Sequence, residues 1–387
     1  MRCRLGLLLS MLLFTCYASQ AQQGEKRFKI AVFAPIYLDS AFNGDTYKLG
    51  AGNIPKNILP GLEFYNGVMV AIDSLQADKA PVDVLIYDSK GKETFEQITA
   101  KPEFKDVGLI IASFNSRQDV KALSDLALDK NIPLISAVYP NDGGTTNNPF
   151  FVMINTSLKT HCEELYKYMQ RYYSLNNIIY FRRKGALEDL VQSYFNDQAR
   201  STASLPLKIK TIELSDSFTN KQLLSYLDST KQNVVLCGTL NELFGVRMAR
   251  TISAAPNYKT TIIGMPTWDG LKDLDKQGCK GVEFIYSTPY NFTKLQPMVI
   301  SFTQRYRVKF SGRPSDIAFK GFESMYHFSK LLVKHGNDLI NNLSDNDFKI
   351  FNDFDIQPVR NKTNRVMVDY LENRKLYFIK KQDGQVK

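Results

Sequence analysis

A chain of 387 residues with 49 Lys and Arg against 39 Asp and Glu has a formal charge of +10. The length suits two lobes of ordinary domain size. The charges are interleaved without a long basic block, which argues against a nucleic-acid face, and no stretch is long and apolar enough to span a bilayer.

The first residues read as a leader. Arg2 and Arg4 precede an apolar run from Leu5 to Phe14, and Ser19-Gln20-Ala21 is a small-residue cleavage site. Residues 1–21 are therefore predicted to be a secretory signal peptide, removed from the mature chain. Cys16 would serve as a lipoprotein anchor, but Phe14 and Thr15 stand where small residues are expected. Beyond the leader lie Cys162, Cys237 and Cys279. An odd count leaves at least one thiol free, and the spacing suggests neither a zinc site nor a disulfide framework.

From residue 28 the pattern alternates strand and helix. FKIAVFAPI (28–36) is an apolar strand, followed by a polar, Gly- and Asn-rich stretch from Tyr37 to Pro60. That stretch is either a functional loop or an ordered surface excursion. Leu62 to Leu75 has helical apolar spacing, VDVLIY (82–87) is a strand, and a helical stretch follows around Glu93 to Thr99. VGLIIASF and IPLISAV flank an amphipathic segment with Val120, Leu123, Leu126 and Ala127 on one face, the pattern of a right-handed βαβ unit. After the turn-rich NDGGTTNNPF, FVMIN (151–155) is a connecting strand, and the alternation restarts. Its strands are NIIYF, KIKTIEL, NVVLCG, TTIIGM and GVEFIY, with helices between most of them. Gln296 to Phe310 and Ser315 to Lys334 read as helices. The tail holds FDIQPV (354–359) and RVMVDYLENRKLYFIKK (365–381), the latter predicted as a hairpin turning at Glu372-Asn373-Arg374. The whole is an α/β chain of two consecutive units, each an open parallel sheet flanked by helices.

Four stretches resemble the type I periplasmic binding proteins of the branched-chain amino-acid (leucine/isoleucine/valine) binding type. They are KIAVFAPI with FYNGVMVAIDSL, VGLIIASFNS with IPLISAV, the change of unit at FVMINTS, and FTQRYRVKFSGRPSDIAFKGFESMYHF. The last is similar to the family's F…Y…G..P….A..GYDA segment, with Phe322-Glu323 in place of its Tyr-Asp. The closing strands are like those of homologues from the Bacteroidetes. The resemblance implies two lobes on a hinge of three crossing strands, closing on a ligand. The crossings are expected near Ile154, Tyr286 and Ser344. That gives lobe one as residues 27–153 plus 287–343 and lobe two as residues 154–286 plus 344–387.

It also implies a function and a site. The expected function is capture of a small polar ligand, an amino acid or related amide, for an ABC-type permease. The alternative is a cell-envelope interaction module on the same fold, for example a cell-wall-synthesis regulator. In amino-acid-binding relatives the groups after the third and fourth strands hold the ligand carboxylate. By position these are Ser113, Asn115, Ser116, Ser136 and Ala137, with Tyr139 beyond them. Ser116 is equally suited to capping the following helix. At carboxyl ends of strands in lobe two stand Arg182, Thr239, Glu242 and Trp268. Glu242 is the candidate partner for an ammonium group, Trp268 the candidate aromatic wall, and Arg182-Arg183 either meet an acidic ligand or form a solvated pair. The bulky Tyr37-Leu38-Asp39-Ser40 replaces the small loop of many relatives and speaks against simple leucine binding. HExxH, GxSxG, CxxC and Walker patterns are all missing, and His161, His327 and His335 are spaced for structural roles. No enzyme activity, metal or cofactor is therefore expected.

Overall fold

The computed structural model describes residues 26–50, 54–291 and 296–386. The leader over residues 1–21 and Cys16 lie outside them. Among the described residues no helix is long and apolar enough to cross a membrane.

The chain starts with β1 (Phe28–Ala34). The Tyr37 to Pro60 excursion contains a short ribbon of β2 (Phe42–Asn43) and β3 (Thr46–Tyr47). A long helix (Leu59–Ala77), β4 (Val82–Asp88), a short helix (Phe95–Thr99) and β5 (Val107–Ala112) follow. The helix Arg117–Lys130 then leads to β6 (Leu134–Ser136) and β7 (Phe151–Met153). The second series runs through the helix Leu158–Tyr173, β8 (Ile178–Arg182), the helix Ala186–Ser201 and β9 (Ile209–Glu213). It continues with β10 (Asn233–Cys237), the helix Glu242–Ser253, β11 (Thr260–Ile263) and β12 (Glu283–Thr288). Two helices, Pro297–Phe310 and Asp316–His335, precede β13 (Ile356–Arg360), β14 (Val368–Asn373), β15 (Tyr377–Gln382) and β16 (Gln385–Val386).

Two seven-stranded sheets result, ordered β13-β14-β7-β6-β5-β1-β4 and β16-β15-β12-β11-β10-β8-β9. Within each, the first five core strands run parallel in the same order, with the second strand outside the first and the third to fifth on its other side. That is the doubly wound order whose ligands bind beyond the carboxyl ends of the strands.

The late helices return to the first sheet. Phe302, Phe322, Met325 and Phe328 join Ile30, Val32 and Phe64 in one core. Two glycines let the helices Leu59–Ala77 and Asp316–His335 touch backbone to backbone. A Cβ on Gly67 would lie 2.0 Å from the Ala318 carbonyl oxygen, and one on Gly321 would lie 2.4 Å from that of Phe64. A second core under the other sheet holds Phe181, Phe218, Phe244, Trp268 and Phe284.

The carboxyl-terminal assignment needs correction. The segment 365–381 is not a hairpin. β14 pairs in parallel with β7 in the first sheet, whereas β15 pairs antiparallel with β12 in the second. Residues 344–373 therefore belong with the first sheet, and the third crossing lies between Asn373 and Tyr377 rather than near Ser344. Alternation marks both stretches as half-buried strands, but it does not say which sheet supplies the partner. Asn373 decides it. Its Nδ2 donates to the Ile154 carbonyl at 3.2 Å, and its Oδ1 accepts from the backbone N–H groups of Asp355 and Lys375, both at 3.1 Å.

Gly321→Ala is expected to destabilise the chain by about 3 kcal/mol, because the clash is with backbone that has no room to yield. Urea unfolding of this variant against the parent chain measures it.

Candidate functional site

The three crossings bring the two sheets together at their carboxyl ends. The first and third are bonded directly. The Thr156 hydroxyl donates to the Asn373 carbonyl at 2.9 Å, and Ser157 N–H donates to Glu372 Oε1 at 2.7 Å. The second crossing continues β12, whose Thr288 stands opposite Tyr377 of β15. Beyond it the Tyr290 hydroxyl reaches back to the Ala137 carbonyl at 3.0 Å.

A cleft of about 470 Å³ opens between the lobes beside this hinge, within the usual range of small-molecule sites. Its lobe-one wall carries Tyr139, Asn141 and Lys320, its lobe-two wall His161, Leu240, Thr267 and Asp269, and its floor Asn155, Thr288 and Tyr290. Two larger hollows, of about 610 and 520 Å³, lie at the amino ends of the two sheets and touch one lobe each.

The cleft is polar and its groups are held in place. Thr288 donates to Asp269 Oδ2 at 2.9 Å and accepts from Tyr290 N–H at 3.2 Å. Asp269 is open to solvent on one side, yet the surrounding walls push its carboxyl above the ordinary value, opposed by the Thr288 bond. His161 shares a 2.8 Å hydrogen bond between Nδ1 and Ser287 Oγ. Burial pulls its imidazole down to about 3, so it is neutral at physiological pH. Behind the lobe-one wall, buried Glu323 accepts from the N–H groups of Phe351 and Asn352 and from Asn352 Nδ2, at 3.0, 2.7 and 2.7 Å. Asn352 Oδ1 in turn takes Asn291 N–H at 2.7 Å, just past Tyr290. Desolvation raises the Glu323 carboxyl to about 7 despite these donors.

Of the residues expected from the sequence, Tyr139 lines the cleft, and Ala137 supports it through the Tyr290 hydroxyl. The others stand elsewhere. Ser116 caps the helix Arg117–Lys130 by accepting from Asp119 N–H, and Asn115 donates to the Tyr37 hydroxyl at 2.8 Å. Ser113 and Ser136 are buried behind the wall, and the Ser136 hydroxyl has no partner among the described residues. Thr239 donates to Glu188 at 2.7 Å and accepts from Asn241 N–H, a structural role. Glu242 is exposed on the first turn of its helix, off the cleft. Trp268 is fully buried in the lobe-two core, edge-on to Phe284, and forms no aromatic wall. Arg182 is buried and bonded to Gln192 and Asp189, so it is neither a solvated residue nor part of the cleft.

For residues 113–116 the displacement has a topological cause. The cleft lies over the ends of β6, β7 and β10–β12, next to the hinge, while residues 113–116 follow β5, one strand farther out. Lys320, Asp269, Tyr290 and His161 escaped the sequence reading as ligand candidates. The available signal was a lysine amid the apolar Ala318, Phe319, Gly321 and Phe322, and an aspartate directly after the tryptophan that was chosen.

No family model matches the sequence, and no curated protein matches it. Solved structures do resemble it. One from Rhodospirillum rubrum, described as a branched-chain amino acid ABC transporter, is 13% identical and aligns over 94% of this chain and 99% of its own, with a TM-score of 0.66. A branched-chain amino acid ABC transporter periplasmic ligand-binding protein from Burkholderia xenovorans is 14% identical over 92% of this chain and 91% of its own, at 0.59. An ABC transporter substrate-binding protein from Desulfitobacterium hafniense, in complex with Leu, is 12% identical over 94% and 99%, at 0.55. At such identities the likeness is one of fold, and the chain has the two-lobed fold of the type I periplasmic binding proteins.

Two outcomes test this map. Trp268→Ala should lower stability by about 4 kcal/mol, measured by chemical unfolding, because its ring fills the lobe-two core against Phe284. The raised Glu323 carboxyl contributes stability that is complete below pH 4.5 and lost as pH rises through about 7. The difference in melting temperature between the parent chain and Glu323→Gln, followed from pH 4 to 8, should change over that window and be flat outside it.

Proposed function

We propose that this protein is a periplasmic solute-binding protein. It traps a small polar ligand, an amino acid or a related amide, between its lobes and delivers it to an ABC-type transporter. The observation that carries this reading is the cleft itself. Hydrogen-bonding and charged groups from both lobes and from the hinge converge on a space of about 470 Å³. Rotation about three crossing strands would bring the walls together on a ligand, as hinge closure does in other two-lobed binders. The solved structures of similar fold support it, since they are described as ABC transporter and periplasmic ligand-binding proteins. The signal peptide read over residues 1–21 is consistent with a periplasmic destination. Tyr139 from one lobe and His161 from the other supply flat walls for a ligand's apolar part, while Asp269 and Thr288 offer polar ends.

The test is thermal unfolding of the mature chain against amino acids, amino-acid amides, small peptides and sugars. A ligand bound only by the folded state, at a hundred times its dissociation constant, adds about 2.7 kcal/mol. That should raise the melting temperature by several degrees. A folded protein that no member of the panel shifts would overturn the solute trap in favour of an interaction module of the cell envelope.

A further inference from the structure

The helix Asp316–His335 carries three lysines. Lys330 ends on Asp78 at 3.3 Å, and Lys334 on Asp345 and Asp347 at 2.6 and 2.5 Å. Lys320, on the second turn, has no hydrogen bond or ion pair within the described residues. Its Nζ sits 3.9 Å from the centroid of the Tyr290 ring. That ring is fixed at both ends, by the Ala137 carbonyl on its hydroxyl and by Thr288 on its backbone N–H.

Three carboxylates face this ammonium and none neutralises it. Asp316 lies one turn back on the same helix, Asp269 faces from lobe two, and Glu323 lies one turn on with its oxygens already engaged by Phe351 and Asn352. None comes within ion-pair distance. The cation–π contact offsets part of the lost hydration, but a half-buried cation without an anion still carries a desolvation cost. Desolvation pulls the ammonium down to about 8. On the opposite wall the Thr267 hydroxyl is buried without a partner among the described residues, a spare donor lining the same space.

We propose that Lys320, seated on the Tyr290 ring, is the anchor for an anionic group of the solute, with the Thr267 hydroxyl as a second donor. The cleft thereby selects carboxylate-bearing ligands. This rests on the solute-trap reading and deepens it. The anion is gripped by a charged side chain of a lobe-one helix, because the strand-end groups Ser116 and Asn115 are committed to a helix cap and to Tyr37. An ammonium gives charge and three donors without fixed geometry, so it suits a carboxylate approaching while the lobes are still apart.

The experiment pairs each acid with the amide that lacks every carboxylate: alanine, leucine, glutamate and succinate against alaninamide, leucinamide, glutaminamide and succinamide. Affinities are measured by calorimetry for the parent chain, Lys320→Met and Lys320→Arg. The parent chain should prefer at least one acid over its amide by tenfold or more. Lys320→Met should lose that preference and Lys320→Arg retain part of it. Acid binding by the parent chain should weaken as pH rises past about 8, and in Lys320→Met it should not. The unliganded Lys320→Met protein should melt no lower than the parent, since methionine keeps the apolar stem at this half-buried position without the unpaired charge, so lost binding cannot be put down to misfolding. A parent chain that binds an acid as tightly after Lys320→Met, or that binds only amides or sugars, overturns the anchor and leaves the trap standing. A parent chain that binds nothing in this set or in the wider panel overturns both.

Discussion

Asn373 is the pin on which the arrangement of the two lobes depends. It is fully buried at the end of β14, and its polar atoms tie the first crossing, the entry to β13 and the turn before β15 to one point. The amide nitrogen holds Ile154 of the first crossing, the amide oxygen holds Asp355 and Lys375, and the backbone carbonyl takes the Thr156 hydroxyl. An aliphatic residue there would take the donor from the buried Ile154 carbonyl, at about 1–3 kcal/mol, and the acceptor from the N–H groups of Asp355 and Lys375. The amide satisfies them and sets the point where the chain leaves one sheet for the other. Because the third crossing begins at this residue, the first sheet gains β13 and β14 and the second is left with β15 and β16.

That placement determines where chemistry can occur. The crossings approach each other beyond β7, β12 and β14, so the space between lobes is deepest next to them. Tyr290 follows the second crossing directly, and its hydroxyl bond to Ala137 ties the hinge to the end of β6. The helix Asp316–His335 supplies Lys320 at the cleft because Gly67 and Gly321 allow it to lie against Leu59–Ala77 with no side chain between. One turn farther, Glu323 braces residues 351–352, and through Asn352 it braces Asn291. Packing in the lobe-one core and polarity in the cleft are thus two faces of one helix.

The two lobes balance rigidity differently. In lobe one, aromatic rings from the late helices fill the core, and Phe302 alone meets Phe319, Phe322 and Phe351. In lobe two, buried polar groups accompany the apolar core at the carboxyl ends of the strands. There Arg182 meets Asp189 and Gln192, while Glu188 takes the Thr239 hydroxyl. These groups resemble a ligand site in composition and position, but they are saturated by one another. Lys320 and Thr267 differ in having no such partners among the described residues.

Period and composition by themselves determined the succession of strands and helices, the division into two α/β units and the open parallel sheet of each. These follow from local alternation and from buried β-branched runs, which neighbouring residues dictate. The cap at Ser116 was legible for the same reason, since capping is a contact between residues three apart. What only the tertiary structure decided was partnership at a distance. Whether 365–381 folds on itself or bridges two sheets depends on Asn373 meeting Ile154, more than two hundred residues earlier. Whether Trp268 or its neighbour Asp269 faces the cleft depends on how the loop after β11 packs against Phe284 and Thr288. The position of Lys320 depends on two glycines in separate helices. Such choices are made by contacts between segments remote in sequence, and no local pattern encodes them.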